Sequence, residues 1–243
     1  MQKTILSVAA AVVLTSLPAI SHAELAFNAG VVTDYRYRGI SQSRLKPALQ
    51  GGADYTDGGF YVGTWASTIK WIKDVRGGAN VEIDLYGGYK GDIIKDSLTY
   101  DVGVLTYLYP SNKLKPIGGA NANTTEIYGA LTFGPGTLKY SHSVTDTFGN
   151  FDSKGSYYID LSATFDVSGI AVVPHVGYQK ISGPLSGPGT YTDYSLTVSK
   201  DISGVVISAA VVGTDADKTF YSSPVGNKKL GKTSVVLGAK YNF

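Results

Sequence analysis

The sequence predicts an all-β protein: a transmembrane, antiparallel up-and-down β-barrel of about twelve strands, with short periplasmic turns and longer extracellular loops. Three observations predict it. Segments of about ten residues with alternating polarity follow one another along the chain, the length a tilted strand needs to cross a bilayer. Short and long connections between them take strict turns. The chain opens on an export signal and closes on an aromatic residue that ends a period-two strand.

In the leader, Lys3 supplies a short basic region. Ile5 to Leu17 is an apolar run broken only by Ser7, Thr15 and Ser16. Pro18 ends it, and Ser21-His22-Ala23 reads as a small-x-small cleavage site. The run is too short to span a bilayer, so residues 1–23 are expected to be a secretory signal peptide. Residues 24–243 are then one outer-membrane barrel domain. At the other end, Val235, Leu237, Ala239, Tyr241 and Phe243 alternate with polar or small residues. A terminal aromatic on such a strand is the kind of signal that barrel-assembly machinery reads, which makes that machinery an expected partner of Phe243.

The twelve expected strands are 25–37, 46–55, 59–66, 80–90, 97–109, 123–133, 136–144, 156–166, 169–180, 191–200, 203–213 and 233–243. The short connections are rich in Gly, Asp and Pro, as in Thr56-Asp-Gly-Gly59, Gly134-Pro-Gly136, Asp166-Val-Ser-Gly169 and Asp201-Ile-Ser-Gly204, which is tight-turn chemistry. Six long connections and five short ones put both termini on the periplasmic side and make the strand count even. A soluble sandwich alternates in polarity too, but does not require this asymmetry of connections.

Composition is consistent with that reading. Tyr outnumbers Phe 18 to 8, and Tyr suits a membrane–water interface because its ring is apolar and its hydroxyl wet. There is no Cys, so disulfides and thiol chemistry are excluded. No stretch after the leader has eighteen consecutive apolar residues, which excludes a transmembrane helix. The near-balanced charge carries no nucleic-acid footprint.

The two faces of the strands assign the side chains. Aromatic residues at strand ends on the apolar face form an expected girdle: Tyr37, Tyr55, Tyr89, Tyr100, Phe133, Tyr157, Phe165, Tyr178 and Phe243. The polar face is expected to line the lumen with Asp34, Arg36, Arg38, Asp54, Glu82, Asp84, Asp101, Glu126, Lys139, Asp160, His175, Asp193 and Lys240. Asp34, Arg36 and Arg38 read as an inward ladder on the first strand. With Lys90 and Asp166 added, the inward charges come to nine acids against five bases, which predicts a mild preference for cations. The long loops lean basic, at Arg44, Lys46, Lys70, Lys73, Arg76, Lys113, Lys115, Lys228, Lys229 and Lys232, which suits the phosphates of lipopolysaccharide.

No catalytic, cofactor or metal site is expected. His142 shares its face with Tyr140 and Val144, while Ser141 and Ser143 point the other way, so a Ser–His pair is missing. His175 is a lone lumenal histidine. No His or carboxylate group has metal-ligand spacing. Gly51-Gly52, Gly77-Gly78 and Gly87-Gly88 join no strand to a helix, so they are not phosphate loops. In strands they relieve curvature or let Tyr pack over them.

Some segments resemble the TorF-type porin family. They are Val31-Val-Thr-Asp-Tyr-Arg-Tyr-Arg-Gly-Ile-Ser-Gln-Ser43, Pro47-Ala-Leu-Gln-Gly-Gly-Ala-Asp-Tyr55, Gly59-Phe-Tyr-Val-Gly-Thr-Trp-Ala-Ser67 and Glu82-Ile-Asp-Leu-Tyr-Gly-Gly-Tyr89, together with Phe243. The resemblance covers the first 90 residues by motif and the rest by strand pattern. It implies an outer-membrane barrel of a Gram-negative bacterium and a pore, and supplies no catalytic residue. The expected role is therefore passive diffusion of small hydrophilic solutes or ions through a channel in the outer membrane. A non-conducting structural or adhesive barrel is the first alternative, and an outer-membrane hydrolase the second.

Overall fold

The computed structural model describes residues 23–243, so the expected signal peptide lies outside the described residues except for Ala23. Twelve wall strands follow in chain order. They are β1 (Glu24–Val32), β2 (Ala48–Asp57), β3 (Phe60–Thr68), β4 (Val81–Ile94), β5 (Leu98–Leu108) and β6 (Thr124–Phe133). Then come β7 (Gly136–Ser143), β8 (Tyr157–Ala163, continued by Phe165–Val167), β9 (Ile170–Lys180), β10 (Tyr191–Ile202), β11 (Val205–Thr214) and β12 (Ser234–Asn242). Each pairs antiparallel with its chain neighbour. β1 also pairs with β12, from Asn28 opposite Asn242 to Val32 opposite Gly238, and this closes the barrel. Phe27 and Phe243 exchange two backbone hydrogen bonds at the seam, 2.8 and 3.0 Å. Closure leaves no strand edge unpaired, which a sheet in lipid requires.

The tight turns follow from residue type. Ser168 and Gly169 both have positive φ, as do Ser203 and Gly204. Two central residues of that kind give a two-residue turn whose twist matches the flanking strands. The carboxylates of Asp166 and Asp201 fix these turns by accepting from the N–H of Gly169 (3.1 Å) and Gly204 (2.8 Å). The long connections, 33–47, 69–80, 109–123, 144–156, 181–190 and 215–233, gather on the opposite rim. They are called L1 to L6.

Burial alternates most clearly along β8, β9 and β10. In β10, Asp193, Thr197 and Ser199 are buried while Tyr194, Leu196 and Val198 are exposed. The exposed set forms an apolar outer band, Leu131, Leu161, Leu196, Ile207 and Leu237 among it. A soluble protein does not leave so continuous an apolar surface in water, whereas lipid requires it. Replacing Leu196 by Arg is expected to cost about 2–4 kcal/mol near the bilayer midplane, and Ser195→Arg on the inner face much less. Urea unfolding of both variants in phospholipid vesicles measures the difference. Equal costs would place Leu196 outside the lipid.

Tyrosines lie along the inner wall over glycines. A Cβ at Gly88 would stand 2.4 Å from the Tyr61 hydroxyl, and one at Gly103 2.5 Å from that of Tyr128. At Gly177 it would meet the Tyr158 hydroxyl at 1.9 Å, and at Gly63 the Tyr86 ring at 2.5 Å. These glycines let large rings lie flat on the wall instead of projecting into the lumen. Gly88→Val is expected to displace Tyr61 and break its bond to Asp101. Recovery of the folded, heat-modifiable band, set against that of Gly129→Val, where no wall side chain lies within 3.9 Å, checks this.

The first strand departs from expectation. It ends at Val32, not at residue 37, and the chain then turns inward. Arg36–Tyr37 and Ile40–Ser41 form a two-stranded hairpin inside the barrel, Arg36 opposite Ser41 and Tyr37 opposite Ile40. Arg38 (φ 46°) and Gly39 (φ 76°) make its two-residue tip. The period-two pattern continues through the hairpin because a hairpin arm alternates as a wall strand does.

Candidate functional site: the lumen and its inward hairpin

The tip of the L1 hairpin crosses the lumen. Arg38 donates to the carboxylate of Glu126 on β6 (2.7 Å) and to Oε1 of Gln179 on β9 (2.6 Å). Its guanidinium carbon lies 4.3 Å from the ring centre of Tyr158 on β8 and 4.8 Å from that of Tyr37. In a ring of twelve strands, β6 to β9 form the wall opposite β1, where the hairpin is rooted. Both members of the Arg38–Glu126 pair are buried, with side chains 6 and 2 % exposed. The hairpin touches other walls on the way. Tyr35 donates to Glu82 on β4, and the Tyr37 and Tyr107 hydroxyls are 2.5 Å apart.

Arg36 fixes the base of the hairpin. It pairs with Asp34 and donates to the backbone oxygens of Gly39 (2.8 Å) and Leu230 (2.9 Å). Asp34 also accepts from Ser41 and Ser43. Asp34, Arg36 and Arg38 are therefore inside the barrel, but as parts of a folded loop rather than as a ladder on a wall strand. Tyr37, expected in the outer girdle, is a correction: it packs inside against Tyr107 and Phe148.

The other girdle residues, Tyr55, Tyr89, Tyr100, Phe133, Tyr157, Phe165, Tyr178 and Phe243, lie on the outer face. Most sit near the short turns. There Phe27 stacks near Phe243 (5.9 Å) and Phe60 meets Tyr89 edge-on (4.7 Å). At the loop end, Tyr140, Tyr157 and Tyr178 form an arc on one side, with neighbouring ring centres 5.7 and 6.3 Å apart.

The lumenal charges separate by level. Glu82, Asp84, Glu126, Asp160 and Asp193 occupy the half nearer the long loops. His175 sits between two of these acids, with Nε2 2.7 Å from Asp160 and Nδ1 3.7 Å from Asp193, and the Tyr158 hydroxyl donates to Asp193 (2.9 Å). Lys90, Lys139 and Lys240 occupy the half nearer the short turns, with Asp54 and Asp101. One line of register partners carries charges of alternating sign along β4 to β8: Lys90 opposite Asp101, Asp101 opposite Ala130, Ala130 opposite Lys139 and Lys139 opposite Asp160. Tyr61 donates to Asp101 (2.6 Å), Tyr86 donates to Asp54, and the Lys139 ammonium stands 3.9 Å from the centre of the Tyr128 ring. Arg36 and Arg38 are taken up by acids. The three lysines have no ion-pair partner within 4.0 Å among the described residues.

The long loops knit together above the hairpin. Asp74 of L2 pairs with Arg44 of L1 (3.0 Å) and accepts from Ser223 of L6 (2.6 Å). Ala120 of L3 donates to Gly149 of L4 (2.9 Å), and Tyr221 of L6 to Gly189 of L5 (2.7 Å). In L6 the carboxylate of Asp217 accepts from the backbone N–H of Thr219 and Phe220, which holds its pKa below the usual range. An apolar core fills the mouth beside the hairpin, with Ile69 and Ile72 fully buried against Tyr35, Tyr107, Tyr109 and Leu114. His142 lies on the outer face against Tyr140, and Ser141 and Ser143 on the inner one, so no serine shares its face. Tyr61, Tyr107, Tyr128, Tyr158 and Gln179 join the lumenal network without having been singled out from sequence. For the tyrosines the signal was their place on the polar face.

The fold is that of solved outer-membrane porins. A KdgM porin structure in complex with disordered oligogalacturonate superposes with a TM-score of 0.56 at 8% identity, covering 91% of this chain and 99% of that one. The NanC porin gives 0.55 at 11% identity, covering 90% and 99%. A search of curated protein sequences found no match. The model of a family described as bacterial protein of unknown function (Gcw_chp) matches residues 17–243, and the chain belongs to that family.

Proposed function

We propose that the chain is an outer-membrane channel for passive diffusion of small hydrophilic solutes, with the L1 hairpin as its constriction. The observation that carries this reading is the lower lumen. A closed wall, apolar outside, presents Lys90, Lys139 and Lys240 inward without ion-pair partners among the described residues. Ammonium groups left in that state need water, and water on a lumenal axis is a path for solutes. The likeness to porin structures and the resemblance to TorF-type porins support it. Below the constriction Lys90, Lys139 and Lys240 stand against Asp54 and Asp101, an excess of one positive charge, so this part of the lumen mildly favours anions, against the cation preference given by counting all inward charges together. In this reading residues 1–23 direct export, the basic loops face lipopolysaccharide phosphate, and β12 with the Phe243 that follows it is presented to the assembly machinery. No catalytic role is proposed.

Swelling of proteoliposomes in sugars of increasing size tests the reading. Arabinose is expected to enter faster than sucrose, and sucrose faster than raffinose. Absence of swelling with all three would exclude diffusion of small solutes. A second reading, a non-conducting barrel, is favoured by one observation: the apolar core and the buried Arg38–Glu126 pair fill much of the upper lumen. Swelling separates the two.

A further inference from the structure

Above the hairpin, under the knitted loops, lies a cavity of about 280 Å³. We propose that it is a binding site for an uncharged sugar, the size of a mono- or disaccharide. This deepens the channel reading by naming the class of solute held at the outer mouth.

The lining chemistry carries the argument. None of the residues that line the cavity is charged, although the same loops carry many lysines and arginines. Two aromatic pairs stand on opposite sides of the barrel mouth. Trp71 of L2 meets Tyr109 of L3 edge-on at 5.4 Å, and Tyr191 at the start of β10 meets Tyr221 of L6 at 4.9 Å. Edge-to-face pairs turn ring faces in different directions, so each side offers a flat apolar surface.

Amides supply the polar part. Asn150 donates its Nδ2 to Thr147 O (2.8 Å), and Gln42 its Nε2 to Ile40 O (3.0 Å). In both, the donor side of the amide is engaged and the carbonyl oxygen remains available as an acceptor. Aromatic faces combined with free acceptors match a ring whose faces are C–H and whose rim is hydroxyl. An anion would meet acceptors and no cation to offset its lost hydration, and a cation would meet no carboxylate. The size and the mostly apolar lining with a few convergent polar groups are those of small-ligand sites.

The site can be read without a membrane, so its failure and the failure of conduction are distinguishable. The chain has two tryptophans, Trp65 on β3 and Trp71 in the cavity wall. In the full-length Trp65→Phe protein, refolded in detergent, Trp71 reports alone. Maltose and cellobiose are titrated as probes, with gluconate as the anion and tetramethylammonium as the cation. A saturable change in Trp71 emission with a neutral disaccharide is expected, with at least a tenfold loss of affinity in Asn150→Leu. Gln42→Leu, in a different loop, gives an independent second loss. The proposal is overturned if neither sugar gives a saturable change, if only gluconate or tetramethylammonium does, or if both variants bind as the parent does.

Discussion

Arg38→Ala is expected to lower the unfolding free energy by about 3–5 kcal/mol, because removing one member of a buried pair leaves the other charge uncompensated. Glu126 is the group left behind: its carboxylate is 2.7 Å from the guanidinium, and its side chain is 2 % exposed. Adding Glu126→Gln to Arg38→Ala should therefore restore part of the loss, since the orphaned charge is gone. Urea unfolding in phospholipid vesicles reads both values. The same substitution cuts the hairpin tip from Gln179 and Tyr158 on the far wall, so open-channel conductance should rise. A cost below about 1 kcal/mol, with no relief from Glu126→Gln, would mean that Glu126 is hydrated and the tip not seated as described.

Gly39→Val should unseat the same hairpin by a different route. At φ 76° a residue with a Cβ costs roughly 1–2 kcal/mol in the backbone alone. A Cβ there would also stand 2.3 Å from Thr214 Cγ2 and 2.7 Å from Asp193 Cβ, an overpacking that adds about 1–3 kcal/mol. Gly39→Ala should show most of this effect. Thr214→Ser removes the nearer methyl, so combining it with Gly39→Ala should recover part of the stability. If Gly39→Ala unfolds at the parent urea concentration, the tip does not press on the β10–β11 wall.

The barrel itself was legible because its causes are local. Alternation in strands such as β10, and the Asp-Val-Ser-Gly and Asp-Ile-Ser-Gly turns, are written in consecutive residues. The hairpin was half legible. Its arms alternate like a wall strand, so the segment reads as a longer β1 and sends Tyr37 outward. The signal that separates the two is Arg38-Gly39, a two-residue turn between Tyr37 and Ile40, which interrupts the strand. The partners of Arg38 were not legible. Glu126 and Gln179 lie 88 and 141 residues away, and only strand register and loop path bring them together. The same holds for His175 between Asp160 and Asp193, which depends on β8, β9 and β10 standing side by side. Net charge counted along the chain says nothing of the separation by level, because it takes no account of where along its strand each charge stands.

Single-channel recording in planar bilayers tests the central claim most directly, on the parent protein beside a variant in which residues 35–41 are shortened to Gly-Gly. A channel constricted by the hairpin predicts discrete conductance steps for the parent and steps several-fold larger for the variant. Steps of equal size would contradict the constriction. Silence from both, with each still folded, would contradict the channel.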